Sequence, residues 1–165
     1  MNLRNYEKLS RRTLNENGND IQNFKLGMIG ELGEIADVIK KHKYQGHELN
    51  KEKLKEEIGD FMWYYVKWLE INMQKGENKY FEELENEIKE VEIREDLEEV
   101  IFNLECISRY MFFCNDYKNF AISDVAKLIV CSGFSLNEVL EYNIEKLNKR
   151  YPQVFGEKRS VNREK

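Results

Sequence analysis

Residues 28–39 read Met28-Ile29-Gly30-Glu31-Leu32-Gly33-Glu34-Ile35-Ala36-Asp37-Val38-Ile39. Met28, Leu32, Ile35 and Ile39 recur at 4-3-4 spacing, which marks one buried stripe along a helix. Glu31 projects beside that stripe and Glu34 a further step round toward the polar side, and their i, i+3 spacing puts them on one helical face. After 22 intervening residues the pattern returns as Glu57-Ile58-Gly59-Asp60, on a stretch whose apolar line is Leu54, Ile58, Phe61, Tyr65 and Trp68. The two helices are expected over roughly 21–42 and 50–73, with a break that begins at Lys43-Tyr44-Gln45-Gly46-His47. A connection of that length lets them fold back antiparallel, with axes ~8–10 Å apart. No clear strand and no sequence repeat accompany them, so the expected fold is all-α, an antiparallel helical bundle.

Four carboxylates converging between two such helices repel one another unless a cation holds them. Hard oxygen donors of this kind suit Mg2+ or Mn2+, the usual companions of phosphate substrates. The bland alternative is a pair of solvated acidic faces, and Glu82/Glu85 and Glu92/Glu95 show the same spacing elsewhere in this chain. Three features favour a metal site. Glu31, Glu34, Glu57 and Asp60 border buried stripes, Gly30, Gly33 and Gly59 leave room beside them, and the connection permits pairing.

Outward from this core, further helices are expected at 3–14, 80–93, 95–115 and 122–132, with a last one capped by Ser135 and running to Arg150. Asn15 to Asp20, Gln74 to Asn78 and Asn115 to Asn119 read as turns, and Asp20 as a helix cap. Pro152 cannot continue the final helix. The tail from Gly156 is polar and reads as extended. The 165 residues, 41% hydrophobic, suffice for a single domain spanning 1–165 with its own core.

Charge and cysteine content narrow the function classes. The net charge is −5, and residues 81–99 carry ten acids against Lys89 and Arg94, which argues against a nucleic-acid polymer as partner. A nucleotide stays admissible, because a bound cation offsets its charge. Cys106, Cys114 and Cys131 are odd in number, lack metal-ligand spacing and read as core residues of a reducing compartment. No apolar run approaches membrane-spanning length, and Met1-Asn2-Leu3-Arg4 is not followed by the apolar segment of a secretion signal. The expectation is a cytoplasmic protein with no membrane partner.

Asn143, Lys146 and Arg150 lie at i, i+3, i+7 and precede Tyr151-Pro152. An amide, an ammonium and a guanidinium on one face can hold phosphate oxygens. The competing explanation is that basic residues at a helix C-terminus merely complement its dipole.

Taken together these motifs resemble the MazG-like branch of the all-α NTP pyrophosphohydrolases. The resemblance rests on Glu31-x-x-Glu34 and Glu57-x-x-Asp60, with Arg12-Thr13 upstream and Asp37, Lys40 and Lys41 after the first pair. Gln45-Gly46-His47 in the spacer and Phe61-Met62-Trp63-Tyr64 after the second pair extend it. Asn143, Lys146, Arg150, Tyr151, Pro152 and Phe155, with Ser160 and Arg163 in the tail, resemble the family's closing motif. Residues 1–72 and 134–163 are covered, and 73–133 stand out as an inserted helical segment.

The resemblance implies hydrolysis of a nucleoside triphosphate, NTP or dNTP, to the monophosphate and pyrophosphate, in the service of nucleotide-pool house-cleaning. It implies Glu31, Glu34, Glu57 and Asp60 as ligands of Mg2+ or Mn2+, with a glutamate of the first pair, Glu31 or Glu34, activating water. Asn143, Lys146 and Arg150 become phosphate contacts and Tyr151 a stacking surface for base or sugar. It also implies a homodimer or homotetramer. A hydrolase specialised for dUTP or dCTP is one variant of this reading. His42 and His47 form no Glu-x-x-His motif, which disfavours a di-iron oxidase; His47 remains a candidate substrate contact. The reading from a different class is a non-catalytic helical module that binds a basic partner through its acidic faces.

Overall fold

The computed structural model describes residues 1–14, 18–72, 79–113 and 121–152. Seven helices occur among them: α1 (Leu3–Arg11), α2 (Ile21–Gln45), α3 (Lys51–Asn72), α4 (Lys79–Glu90), α5 (Leu97–Phe113), α6 (Ile122–Cys131) and α7 (Leu136–Arg150). No strand accompanies them among the described residues; a lone bridge joins Glu95 to Ser132. The turns expected at 74–78 and 115–119, the first half (15–17) of that at 15–20, Cys114, Phe155 and the tail motif with Ser160 and Arg163 lie outside the described residues.

Local chemistry sets the helix ends. Asp20 caps α2, its carboxylate accepting from the Gln22 and Asn23 amides at 2.8 and 3.3 Å. Ser135 and Glu138 form a reciprocal capping box at the start of α7. The second helix outruns its expected end and stops at Gly46, whose φ is 76°. The fifth starts two residues later than its periodicity suggests. Arg94 and Asp96 donate their amides to the Val130 and Cys131 carbonyls, and the Asp96 side chain accepts from the Glu99 amide. Backbone bonding to the end of α6 therefore holds residues 94–96 out of the helix.

The two long helices α2 and α3 make the most extensive contact in the fold. Their facing stripes bury Phe24, Met28, Leu32, Ile35 and Ile39 against Leu54, Ile58, Phe61, Met62 and Tyr65, each large side chain contributing about 1.5–3 kcal/mol. α7 packs along α3, and α1 crosses both, so the face of α3 that carries Glu57 and Asp60 is enclosed by α2 and α7. Helices α4 to α6 pack among themselves; α4 also touches α1, and α5 also touches α2. Between α2 and α5 runs a mainly apolar groove of about 680 Å3, bordered by Ile29, Ile39, Leu104 and Phe112. The segment set apart as an insertion thus lies against the acidic-helix pair.

Cys131 is buried and Cys106 half-buried, and both are free thiols. No described helix is long and apolar enough to cross a membrane.

Candidate metal and phosphate site

Glu31 of α2 meets Glu57 and Asp60 of α3, each offering one carboxylate oxygen within 4.8 Å of the others. Glu57 is 4% exposed, whereas Glu31 and Asp60 are half-buried. Burial raises the Glu31 pKa to about 7, and the charges of Asp60 and Glu57 add to the rise while Lys146 opposes it. Glu57 is also raised, chiefly by burial, with Lys53 pulling the other way. The cluster therefore carries repulsion, only partly offset by lysines, that a cation would relieve. Three oxygen donors and no softer ligand match the preference of Mg2+ or Mn2+. The residues present fit such an ion.

Glu34, expected beside them, is exposed and stands outside this trio. A step of i, i+3 turns about 60° around a helix, so the packing that points Glu31 at α3 turns Glu34 toward solvent.

Two lysines already neutralise part of the cluster. The Lys53 ammonium lies 2.5 Å from Glu57, and Lys146 bridges Glu56, at 2.6 Å, and Asp60. Burial pushes Glu56 upward, but Lys146 and Lys53 outweigh it and leave its pKa lowered.

Asn143 departs from the phosphate role expected of it. It is fully buried, donates from Nδ2 to Asp60 at 2.8 Å and accepts the Tyr6 hydroxyl at 2.6 Å on Oδ1. Burial, reinforced by the Asp60 charge, keeps the Tyr6 phenol protonated far above its usual range. Gly59 makes this approach feasible. A Cβ there would stand 3.1 Å from the Asn143 Cβ, whereas Gly30 and Gly33, expected to give room beside the acids, face open space.

Two polar depressions flank the cluster. One, of about 110 Å3, is walled by Glu31, Asp60, Thr13, Trp63, Tyr64 and Tyr151. The other, of about 480 Å3, is bordered by Glu52, Glu56, Tyr142, Lys146 and Lys149. Arg150, exposed at the end of α7, borders both. Tyr151 is buried, and its carbonyl accepts from Arg12 at 2.5 Å. Lys146, Arg150 and Tyr151 are thus beside the acids.

Other residues of the acidic helix take ordinary structural places. Asp37 pairs with Lys40 and Lys41 at 2.5 and 2.6 Å, and those hydrogen bonds lower its pKa to about 2. His42, near the end of α2 and about 16 Å along the helix axis from Glu31, bonds through Nδ1 to the carbonyl of His47, beyond the C-terminus of that helix, at 2.9 Å.

Sequence reasoning did not assign Trp63, Tyr64, Thr13, Lys53, Glu56 or Lys149 to the site. A signal existed for three of them. Trp63 and Tyr64 follow Asp60 at i+3 and i+4, and Lys53 precedes Glu57 at i−4, so all share its face.

Residues 19–85 match the family model of the MazG nucleotide pyrophosphohydrolase domain. That stretch holds α2, α3 and both acidic pairs, and stops before α7. Over that stretch the chain is similar to the MazG nucleotide pyrophosphohydrolase domain, a family typically dependent on a divalent metal. Neither a curated protein nor a solved structure matches the chain.

Proposed function

We propose that this chain hydrolyses a nucleoside triphosphate to the monophosphate and pyrophosphate, with Glu31, Glu57 and Asp60 holding Mg2+. The observation that carries the proposal is the convergence of those three carboxylates from two helices within 4.8 Å. When bound, the cation neutralises phosphate oxygens and makes a water more acidic.

The chain's own groups supply the rest. Asn143 keeps Asp60 oriented toward the cluster, and Tyr6 keeps Asn143 in place. Lys146 and Arg150, joined by Lys149 in the larger depression, balance the charge of the phosphates. In this reading a glutamate of the first pair, Glu31 or Glu34, orients the attacking water and takes its proton. Water adds at the α-phosphorus, the bond to the bridging oxygen breaks, and pyrophosphate leaves. The match to the pyrophosphohydrolase family supports that site of cleavage. The exposed Phe102 and Phe112, at 56% and 64%, support a homodimer or homotetramer as the working state.

The test is incubation with a mixed pool of NTPs and dNTPs plus Mg2+, reading pyrophosphate and monophosphate together. Turnover that disappears in Glu57→Gln with helical content retained supports the assignment. Full activity in that variant refutes the metal site. No turnover of any nucleotide by the wild type refutes the hydrolase and leaves the acidic exterior of α4 as a surface for a basic partner.

A further inference from the structure

Trp63 sits one turn beyond Asp60, and its half-buried indole forms part of the wall of the smaller depression that Glu31 and Asp60 also border. The ring is held from several sides. Its Nε1 donates to Thr13 Oγ1 at 3.0 Å, and that hydroxyl donates to the Ser10 carbonyl at 2.7 Å, tying the indole to the end of α1. One turn further along α3, the Lys67 ammonium lies 5.2 Å from the indole centre and donates to Ser10 Oγ at 2.6 Å. Neighbouring Tyr64 stands edge-to-face at 4.9 Å and 83°. Its ring lies so close to α2 that a Cβ on Gly27 would come within 2.3 Å of it.

Lys67 is the unexpected member. It is 1% exposed, and burying an ammonium is costly. Burial lowers its pKa to about 8, with Glu7 and Glu70 opposing the fall. A methionine would fill similar space without that cost, so the ammonium is explained by what it touches: the Trp63 indole and the hydroxyl of Ser10, the residue whose carbonyl accepts from the Thr13 hydroxyl that anchors the indole. The result is a rigid aromatic surface beside the cluster proposed to hold the triphosphate. The basic side chains Lys146 and Lys149 gather in the other depression, across Arg150.

We propose that Trp63 is the platform on which the nucleobase stacks, and that Lys67 is a positioning residue that holds the indole for it. The inference rests on the hydrolase reading above and adds the orientation of the substrate: base toward Trp63, phosphates toward Lys146. Stacking on an aromatic face is available to every base, so this platform supplies affinity without choosing among bases.

The experiment compares the full chain with Trp63→Leu, Trp63→Phe and Lys67→Met, each checked for helical content. Binding is measured calorimetrically with Mg2+ for an α,β-methylene nucleoside triphosphate and for inorganic triphosphate, which has no base. Trp63→Leu is expected to weaken the nucleotide analogue about tenfold or more, with inorganic triphosphate changed less than about twofold. Trp63→Phe restores most of the loss, and Lys67→Met shows the same split at smaller size. The analogue quenches tryptophan emission from Trp63 over the constant background of buried Trp68, and inorganic triphosphate does not.

Equal weakening of both ligands, or of neither, overturns the platform. An unchanged nucleotide affinity in Lys67→Met overturns the positioning role. A wild type that turns over nucleotides while Trp63→Leu binds them normally removes this inference alone. A wild type that binds neither ligand and hydrolyses nothing removes the hydrolase reading with it.

Discussion

Asn143 and Asp60 are joined across the packed boundary of α7 and α3 by an amide-to-carboxylate hydrogen bond of 2.8 Å. The other end of the amide accepts the buried Tyr6 hydroxyl, so one side chain ties three helices to the acidic cluster. Asn143→Ala leaves that hydroxyl unpaired and is expected to cost about 1–3 kcal/mol of stability. Denaturant unfolding checks this. Adding Tyr6→Phe should recover part of the loss, because no buried hydroxyl then remains without a partner. Divalent-cation affinity should fall in both variants, since Asp60 loses its orienting donor.

Gly59 provides a complementary test of the same boundary. Gly59→Ala forces α7 away from α3 and is expected to destabilise by about 1–3 kcal/mol, the usual cost of overpacking. Gly30→Ala and Gly33→Ala meet open space and should stabilise by up to about 1 kcal/mol through helix propensity. Melting measurements on the three variants separate the cases. Loss of stability at Gly33 would mean that another surface covers that face of α2.

Glu31 couples cation binding to pH. In the folded, metal-free chain burial raises its pKa to about 7, above the ordinary 4.5, so the fold holds a proton that the unfolded chain has lost. The stability this contributes is full below about pH 4.5 and is lost as pH rises through about 7. A cation needs the ionised form, so affinity should climb toward pH 7 and then level off. Calorimetry at pH 6 in buffers of different ionisation enthalpy should show proton release on Mn2+ binding. At pH 8 the release should shrink, and in Glu31→Gln the release at pH 6 should fall, leaving only what Glu57 contributes.

Lys67 acts in the opposite sense and in a different range. Its folded pKa of about 8 lies below the ordinary 10.5, so between those values the unfolded chain binds more protons than the fold. Stability should therefore rise as pH increases from about 8 to about 10.5, by up to about 3 kcal/mol at 1.36 kcal/mol per pH unit. Urea unfolding across that range checks it. Lys67→Met should remove most of the slope.

Arg150 decides between phosphate binding and simple complementation of the α7 dipole. Because it borders both depressions, Arg150→Ala should raise KM for the triphosphate about tenfold, while the melting temperature moves little. A change confined to melting temperature would return the residue to the dipole.

The fold was largely legible. The stripe from Met28 to Ile39 and the line from Leu54 to Trp68 are buried as their spacing requires, and Asp20 and Ser135 cap the helices they precede. The site was legible in part. Glu31, Glu57 and Asp60 converge, but Glu34 does not, and Asn143 turns inward to Asp60 and Tyr6. The ring of helpers, Lys53, Thr13 and Trp63, escaped because each looks ordinary until a second helix lies against it.

Local periodicity by itself determined which segments coil and which acids stand one turn apart, since those properties depend on neighbours within a turn or two. Only the tertiary structure decided which acid of each pair faces the shared volume and which polar groups stand behind it. The physical reason is rotation. A helix can turn about its axis by the ~60° that separates i from i+3 and keep the same sequence pattern, and the packing of α2, α3 and α7 against one another selects a single setting.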